Sequence, residues 1–267
     1  MINSLLKAID ILQVFSPSEP RLSLADIATR LDLPKSTAHN LLQTLLSRGL
    51  VEKVDGDHYA LGTTLISLTQ AVRVNVELRD RAAPVLRELA DVCRESVLLA
   101  ILDGNYLLYV YAIESPSRLL GRTAVGDRVP LHCTAIGKSI LAHLPIQDVE
   151  AIIIAVGMPP STEATITDLP TLLKDLELIR QRGYSLDCQE HEASTFCIGA
   201  PIFDASGRII AACSISGTDP EIILTRLETI SQRVMQGAND ISRLMGYIPT
   251  RQALVAPRIL QDGRVNR

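Results

Sequence analysis

The residues best suited to handling a small ligand lie in the C-terminal half of the chain. Thr134-Ala135-Ile136-Gly137-Lys138 reads as a helix N-terminus built largely of small residues. A ligand could there approach backbone N–H groups that carry partial positive charge. Ser214 and Ser216 alternate along an extended run and so present both hydroxyls on one face. Cys197 falls on a neighbouring extended run, with Asp187 ten residues before it. Donors from two hydroxyls and a helix end suit a small anion such as a keto acid. The same residues also allow a plainer arrangement, with the serines on an edge face and Cys197 an apolar filler inside FCIGAPIF.

Two other chemistries can be drawn from this region. Cys188, His191 and Cys197 combine thiol and imidazole, which suit zinc, and would make the chain a metal- or redox-responsive sensor. The C-x-x-H pair lacks a second matching pair, however, and a structural zinc takes four ligands, so no metal and no cofactor is expected. Cys197 could instead be a nucleophile with His132 or His191 as base. No G-x-S-x-G turn supports that, and a thiol inside an apolar strand stays protonated. No catalytic residue is assigned and an enzyme is not expected.

A different surface chemistry sits at residues 23–48. Leu24, Ile27, Ala28 and Leu31 recur at the spacing of one buried helical face, with Ser23 and Asp26 placed to cap it reciprocally. Asp32-Leu33 breaks the pattern, and Pro34 suits the first position of a second helix that buries Ala38, Leu41, Leu42, Leu45 and Leu46. Its opposite face carries Ser36, Thr37, Asn40, Gln43, Thr44 and Ser47. These short, uncharged, hydrogen-bonding side chains match base edges in a DNA major groove. Lys35 and His39, near the amino end of that helix, would reach phosphates or bases.

The elements around these residues follow from pattern and composition. With 267 residues the chain can form one large domain or two ordinary ones. No apolar run approaches the roughly 18 residues that span a bilayer, and MINSLLKAID lacks the layout of a signal peptide. Five cysteines at irregular spacing do not make a disulfide framework and point to a reducing cytoplasm. Residues 4–15 read as a helix with Leu5, Ile9 and Leu12 on one face, ended by Ser16-Pro17. After the two helices, residues 50–54 and His58–Leu61 flank Asp55-Gly56-Asp57, a hairpin signal. Three helices and a hairpin in this order make a winged helix-turn-helix.

Across residues 1–61 the cations are Lys7, Arg21, Arg30, Lys35, Arg48 and Lys53. Against these six stand seven acids: Asp10, Glu19, Asp26, Asp32, Glu52, Asp55 and Asp57. A nearly neutral module gains little from counterion release, so one copy should bind DNA weakly and two copies are needed.

A connecting helix is expected over residues 63–80, followed by a helix starting with Pro84 in its first turn. Beyond residue 95, strands and helices interleave. Strands are expected at 96–102, 106–113, near 118–125, at 184–188, 196–203 and 208–216. Helices are expected at 139–144, 148–156, 170–182 and 220–245, with a poorly ordered tail at 251–267. Hairpins with segregated helices indicate an α+β domain with a mainly antiparallel sheet.

Four stretches, LADIATRLDLPKSTAHNLLQTL, LHCTAIGKSILA, RQRGYSLDCQEHE and CIGAPIFDASGRIIAACSISG, appear in this order. Together they resemble the IclR family of bacterial transcriptional regulators from about Ser4 to Leu244. One departure is Asp32, at a turn position the family commonly fills with glycine; Asp tolerates the left-handed conformation better than most residues. The resemblance implies a winged helix-turn-helix domain over 1–62, a linker helix over 63–80 and a GAF-like effector and oligomerisation domain over 81–248. It implies a dimer or dimer of dimers that binds double-stranded DNA, repressing or activating transcription.

Members that bind glyoxylate or pyruvate use an Asp, a Cys, two Ser residues and the backbone of a small-residue loop. The resemblance carries these roles to Asp187, Cys197, Ser214, Ser216 and Ala135-Ile136, and implies a carboxylic or sugar acid as effector. Asp187, an awkward neighbour for a carboxylate, is expected to accept a hydrogen bond from an alcohol or hydrated group.

Overall fold

The computed structural model describes residues 1–16, 18–72, 74–115 and 125–248. The chain divides between Val76 and Glu77 into two compact units.

In the N-terminal unit, α1 (Asn3–Gln13) turns Ile11 into the core. Leu5 and Ile9, expected on the buried face, are exposed, while Ala8 and Leu12 pack at the edge. Pro17, expected to end this helix, lies outside the described residues. Strand β1 (Leu22–Ser23) leads directly into α2 (Leu24–Arg30). The expected capping box forms: the Asp26 N–H donates to Ser23 Oγ at 3.2 Å, and the Ser23 N–H donates to Asp26 Oδ2 at 3.1 Å.

Helix α3 (Lys35–Ser47) follows, with Pro34 as its N-cap rather than inside its first turn. Pro34 keeps an extended ψ of 135° there, so the chain changes direction before the helix begins. Ala38, Leu42 and Leu45 are buried on α3, and Leu41 and Leu46 are half-buried. The pair β2 (Val51–Val54) and β3 (His58–Leu61) is antiparallel, with Val54 opposite His58. Asp55 and Gly56, with φ of 37° and 80°, make the turn. Strand β1 pairs with the other edge of β3; two residues carry no alternation by which to foresee it.

Helices α2 and α3 end in the same way. The Leu33 N–H donates to Ala28 O at 2.9 Å and the Asp32 N–H to Thr29 O at 3.3 Å. The Leu50 N–H donates to Leu45 O at 3.0 Å and the Gly49 N–H to Leu46 O at 3.0 Å. Both are Schellman closures, which place one residue in the left-handed region. At the second that residue is Gly49 (φ 66°); at the first it is Asp32 (φ 49°). The turn that aims α3 is thus held by a residue whose Cβ opposes it.

The single connecting helix expected over 63–80 is interrupted. Helix α4 (Thr64–Gln70) closes with tight bonds from Ala71 to Leu68 O and from Val72 to Thr69 O. A π-helical turn (Val74–Arg79) then precedes α5 (Asp80–Cys93). Pro84 therefore sits inside α5 rather than at its start, where it cannot donate to the Asp80 carbonyl and crowds it.

In the C-terminal unit, β4 (Ser96–Asp103) and β5 (Tyr106–Ile113) form a hairpin around Gly104-Asn105, and β6 (Arg128–Val129) pairs with β5. Of the strand expected near 118–125, residues 118–124 lie outside the described residues. Helix α6 (Ala135–Leu141) begins within the helix N-terminus read at Thr134–Lys138 and ends short of the expected 144; Thr134 Oγ1 caps it by accepting the Gly137 N–H at 3.1 Å. Then come α7 (Ile146–Val156), α8 (Leu169–Arg182), β7 (Ser185–Cys188), β8 (Phe196–Phe203) and β9 (Ile209–Gly217).

The expected final helix is split. A 3-10 turn (Pro220–Ile222) precedes α9 (Leu227–Leu244). The break lets Arg226 reach Glu95 Oε1 at 2.7 Å and Cys93 O at 2.8 Å. The expected tail, 251–267, lies outside the described residues.

The sheet order is β6-β5-β4-β9-β8-β7, with every neighbouring pair antiparallel. On one face Leu98, Leu107, Tyr109 and Ala212 pack with Ile136, Ile140, Val149, Leu172 and Leu176 of α6, α7 and α8. On the other, α9 lies along β8 and β9, and α5 packs on α9 and β4. This is the expected α+β class: a helix-turn-helix unit and a second unit of curled antiparallel sheet with flanking helices.

Because Asp32 holds a left-handed φ at a position ideal for glycine, Asp32→Gly is expected to stabilise the full chain by about 0.5 kcal/mol. Asp32→Val should destabilise it by about 1–2 kcal/mol. Urea denaturation midpoints check both.

Candidate functional site

The register of the C-terminal sheet brings the predicted ligand residues together. Asp187 stands opposite Cys197, and Cys197 opposite Ser216, so the three form one row across β7, β8 and β9. In the next row on the same face, Ser214 is opposite Gly199, which is opposite Ser185. All four predicted side chains point towards α6. A Cβ on Gly199 would come within 2.9 Å of the Ala135 carbonyl carbon, so this glycine is what lets the start of α6 sit against the sheet. Ser185 fixes that contact by donating to Ala135 O at 2.6 Å and sharing a 2.8 Å bond with Ser139 Oγ.

Between α6 and the sheet lies a cavity of about 30 Å³, lined by Asp187, Cys197, Ser214, Ser216, Ala135 and Ile136. That is room for about two water molecules. Leu98, Tyr109, Thr134, His191, Glu192 and Thr195 complete the lining and were not assigned to the ligand from the sequence. Thr134 was within reach as the cap of α6. Tyr109 and Leu98 read as ordinary strand residues, because only the sheet order puts β4 beside β9 and β5 next to β4. The backbone N–H groups of Ala135 and Ile136 have no acceptor in the protein among the described residues, although both residues are buried. A buried helix end of this kind calls for an external acceptor.

Asp187 is 2% exposed. Its Oδ1 accepts the Glu190 N–H at 2.7 Å and the His191 N–H at 3.4 Å. Burial, reinforced by the nearby Glu190 charge, outweighs these bonds and the Lys138 cation and pushes its carboxyl up to about 7. Cys197 Sγ donates to Ser216 Oγ at 3.3 Å.

The metal and enzyme alternatives are not assembled. Among the described residues no three His, Cys, Asp or Glu side chains form a group able to hold a metal ion. The two histidines considered as bases for Cys197 are engaged elsewhere: His132 Nε2 lies 3.2 Å from Pro159 O and His191 Nδ1 3.7 Å from Cys133 Sγ. Burial pushes the Cys133 thiol up to about 12 and the Cys188 thiol upward. All five cysteines are free of disulfides.

Behind the cavity, Lys138 of α6 is 1% exposed. Its Nζ donates to Glu190 Oε1 and Oε2 at 2.6 and 2.8 Å and lies 2.8 Å from Asp175 Oδ2 on α8. Burial disfavours the ammonium, but the two carboxylates more than offset it and hold Lys138 above the ordinary lysine range. The loop that carries Glu190 is tied down further by Thr162 Oγ1 to Gln189 O and Thr165 Oγ1 to Glu190 O, both at 2.6 Å. Lys138 was read from the sequence only as part of a helix start; its burial between two acids depends on the packing of α6 and α8.

In the N-terminal unit, Lys35, Ser36, His39, Asn40, Gln43 and Thr44 of α3 are exposed and Thr37 is half-buried. The Thr44 hydroxyl donates back to Asn40 O at 3.0 Å, and Gln43 Nε2 lies 3.4 Å from His39 Nε2. Three of the unit's cations are paired with acids: Arg21 with Asp55, Arg30 with Glu19 and Lys53 with Asp57. Lys35 and Arg48, flanking α3, have no ion pair among the described residues. Two of the three cations of residues 1–61 without an ion pair among the described residues thus lie at the ends of the helix with the polar face, the third being Lys7 on α1.

Comparison with known proteins matches two family models to the chain. Residues 4–55 match the IclR helix-turn-helix domain, and residues 70–243 match the bacterial transcriptional regulator IclR C-terminal domain. The HTH-type transcriptional regulator BhcR of Paracoccus denitrificans is 35% identical over 254 residues, 94% of this chain and 90% of that protein. The crystal structure of Thermotoga maritima IclR is similar with a TM-score of 0.78 at 32% identity, covering 92% of this chain and 100% of that one. An IclR homolog from Microbacterium hydrocarbonoxydans, solved with 4-hydroxybenzoate, gives a TM-score of 0.83 at 25% identity over 91% of this chain and 98% of that one.

Removing the Lys138 charge strands two buried or half-buried acids. Lys138→Met is expected to cost about 3–5 kcal/mol in urea denaturation. Adding Glu190→Gln and Asp175→Asn to that variant should recover most of the loss.

Proposed function

The chain belongs to the IclR family of bacterial transcriptional regulators, and from that premise we propose how its residues carry out the work. It is a DNA-binding regulator with an effector-binding C-terminal domain. In our reading Asp187, Cys197, Ser214, Ser216 and the N–H groups of Ala135 and Ile136 hold that effector. The single observation that carries this is the sheet register, which gathers all four side chains on one small buried cavity beside two unclaimed amides.

The effector we infer is a small carboxylic acid. With room for about two water molecules, the cavity admits any carboxylic acid only if its lining moves, and the least movement is needed for two- and three-carbon acids. The relative bound to 4-hydroxybenzoate supports an acid as the class of ligand. Ser214 and Ser216 would donate to a carboxylate, with the α6 amides on its other side.

At the other end of the chain, Ser36, Thr37, Asn40, Gln43 and Thr44 would read bases, and Lys35 and His39 would meet the adjoining backbone or bases. The near-neutral N-terminal unit supports action as a homodimer or dimer of dimers, with recognition helices spaced for half-sites roughly 34 Å apart. The exposed Ile66 and Leu68 of α4 offer apolar surface to a second copy. Effector binding would alter the dimer through residues 63–80 and so reset that spacing. No described helix is long and apolar enough to cross a membrane, which agrees with work in the cytoplasm.

Two experiments test these assignments. Asn40→Ala or Gln43→Ala is expected to weaken operator binding about tenfold and relax base preference at one position. Lys35→Ala should instead reduce affinity for all sequences and flatten the salt dependence, as read by fluorescence anisotropy. The Ser214→Ala/Ser216→Ala double variant should lose the thermal shift produced by small organic acids while its unliganded DNA affinity stays unchanged. An undiminished thermal shift would remove the serines from the site.

A further inference from the structure

The cavity between α6 and the sheet poses a charge problem that its size and donors do not solve. Among its lining residues are two acids, Asp187 and Glu192, and no lysine or arginine. The nearest buried cation, Lys138, is already held by Glu190 and Asp175. A carboxylate entering this cavity therefore meets hydroxyls and amides but no formal countercharge, and it meets them beside a buried acid.

The geometry of Asp187 offers a way out. Both N–H bonds it accepts fall on Oδ1. Its Oδ2 has no protein donor among the described residues, while the side chain lines the cavity. Oδ2 is thus the atom of Asp187 left to face a ligand. Charged, it would repel a carboxylate at hydrogen-bond distance, and its own burial weakens the screening of the pair. Protonated, it becomes an O–H donor and removes one negative charge.

We propose that this regulator binds its acid effector together with one proton, which rests on Asp187 Oδ2 and is donated in a hydrogen bond to the ligand carboxylate. The proposal rests on the effector reading above. It reverses the direction of the hydrogen bond expected of Asp187 from the sequence, because Oδ1 is already committed as an acceptor. The balance is simple: one carboxylate anion and one solvent proton enter, no covalent bond in the ligand changes, and the net charge of the filled site equals that of the empty site with Asp187 ionised.

The other titratable groups near Asp187 are Glu190, His191 and Glu192 on the loop after β7, Lys138 on α6 and Cys133 just before it. Cys197 on β8 and Tyr109 on β5 complete the set. Of these, Glu190, whose carboxyl is pushed up by burial against the pull of Lys138, and His191 are the other groups able to take up a proton. Burial disfavours the charged form of His191, and its Nδ1 is turned to Cys133. Burial places the Asp187 carboxyl at about 7 in the unliganded chain. Below that pH the proton is already present. Above it, the proton must be collected on binding, and affinity falls.

Isothermal titration calorimetry of the full-length protein with acetate, glyoxylate and pyruvate tests this, at pH 6.0, 7.5 and 8.5 and in phosphate and Tris buffers at pH 7.5. The expected result is proton uptake rising from near zero at about pH 6 towards one at about pH 8.5. Kd should weaken by nearly tenfold between the upper two pH values. Asp187→Asn offers an amide donor in place of the O–H and keeps an oxygen for Glu190 and His191. It should bind the same acid with a Kd that no longer varies over this range.

A wild-type Kd flat across this pH range, with no net proton uptake, would overturn the proposal while leaving the effector site intact. So would a pH slope that survives in Asp187→Asn and disappears in His191→Gln. Failure of all three acids to bind at pH 6.0 would overturn the effector reading itself, and the proton linkage with it.

Discussion

A lysine buried between two acids is the constraint around which the C-terminal unit is arranged. Lys138 belongs to a helix whose residues are all buried, so its ammonium cannot reach water and must find carboxylates within the protein. It takes Glu190 from the loop after β7 and Asp175 from α8. One charge thereby ties together helix, loop and neighbouring helix. Such an arrangement contributes little net stability, because desolvation consumes most of the Coulombic gain. Its effect is positional. Glu190 held by Lys138 keeps its own N–H on Asp187, and Asp187 is the acid wall of the cavity.

That wall explains why the cavity is built as it is. Serine hydroxyls and helix amides suit an anion, yet no cation lines the space. In the proposed reading, specificity for a small acid would depend on fixed dipoles and on the state of one carboxyl group. A lysine or arginine in the lining would bind acids of many shapes through long-range attraction. Hydroxyls and amides reward only a ligand whose oxygens reach them at hydrogen-bond distance.

The N-terminal unit shows a similar economy of charge. Three of its cations are spent on local acids, and of the remaining Lys7, Lys35 and Arg48 the last two lie at the ends of α3. In the proposed reading such a module positions itself on DNA weakly, so that occupancy would depend on two copies engaging together and be open to control by their spacing. The turn before α3 carries its own compromise. Asp32 occupies the left-handed position of a closure that Gly49 occupies without strain one helix later.

The sequence by itself determined the local elements wherever a short-range signal was strong. The Ser23–Asp26 cap, the Asp55-Gly56 turn and the hairpin partners of 96–103 and 106–113 all depend on residues within a few positions of one another. The α+β class and the polar outward face of α3 follow from the same periodicities. What local pattern could not supply was where elements stop under tertiary demands. The helix expected over 220–245 yields at Arg226 because that side chain is needed at Glu95, and the one expected over 63–80 ends early in a tightened turn.

The ligand site divides along the same line. Ser214 and Ser216 share a face by the pleat alone, and the small residues at 135–136 mark a close approach. That Asp187, Cys197 and Ser216 stand in one row was decided only by the pairing of β7, β8 and β9, contacts between strands whose register no single strand encodes. Tyr109 and Lys138 joined the site for the same reason: β5 reaches it through sheet order, and Lys138 through the packing of α6 on α8. Local propensity acts over a few residues, whereas a buried charge or a cross-strand row exists only once distant segments exclude water together.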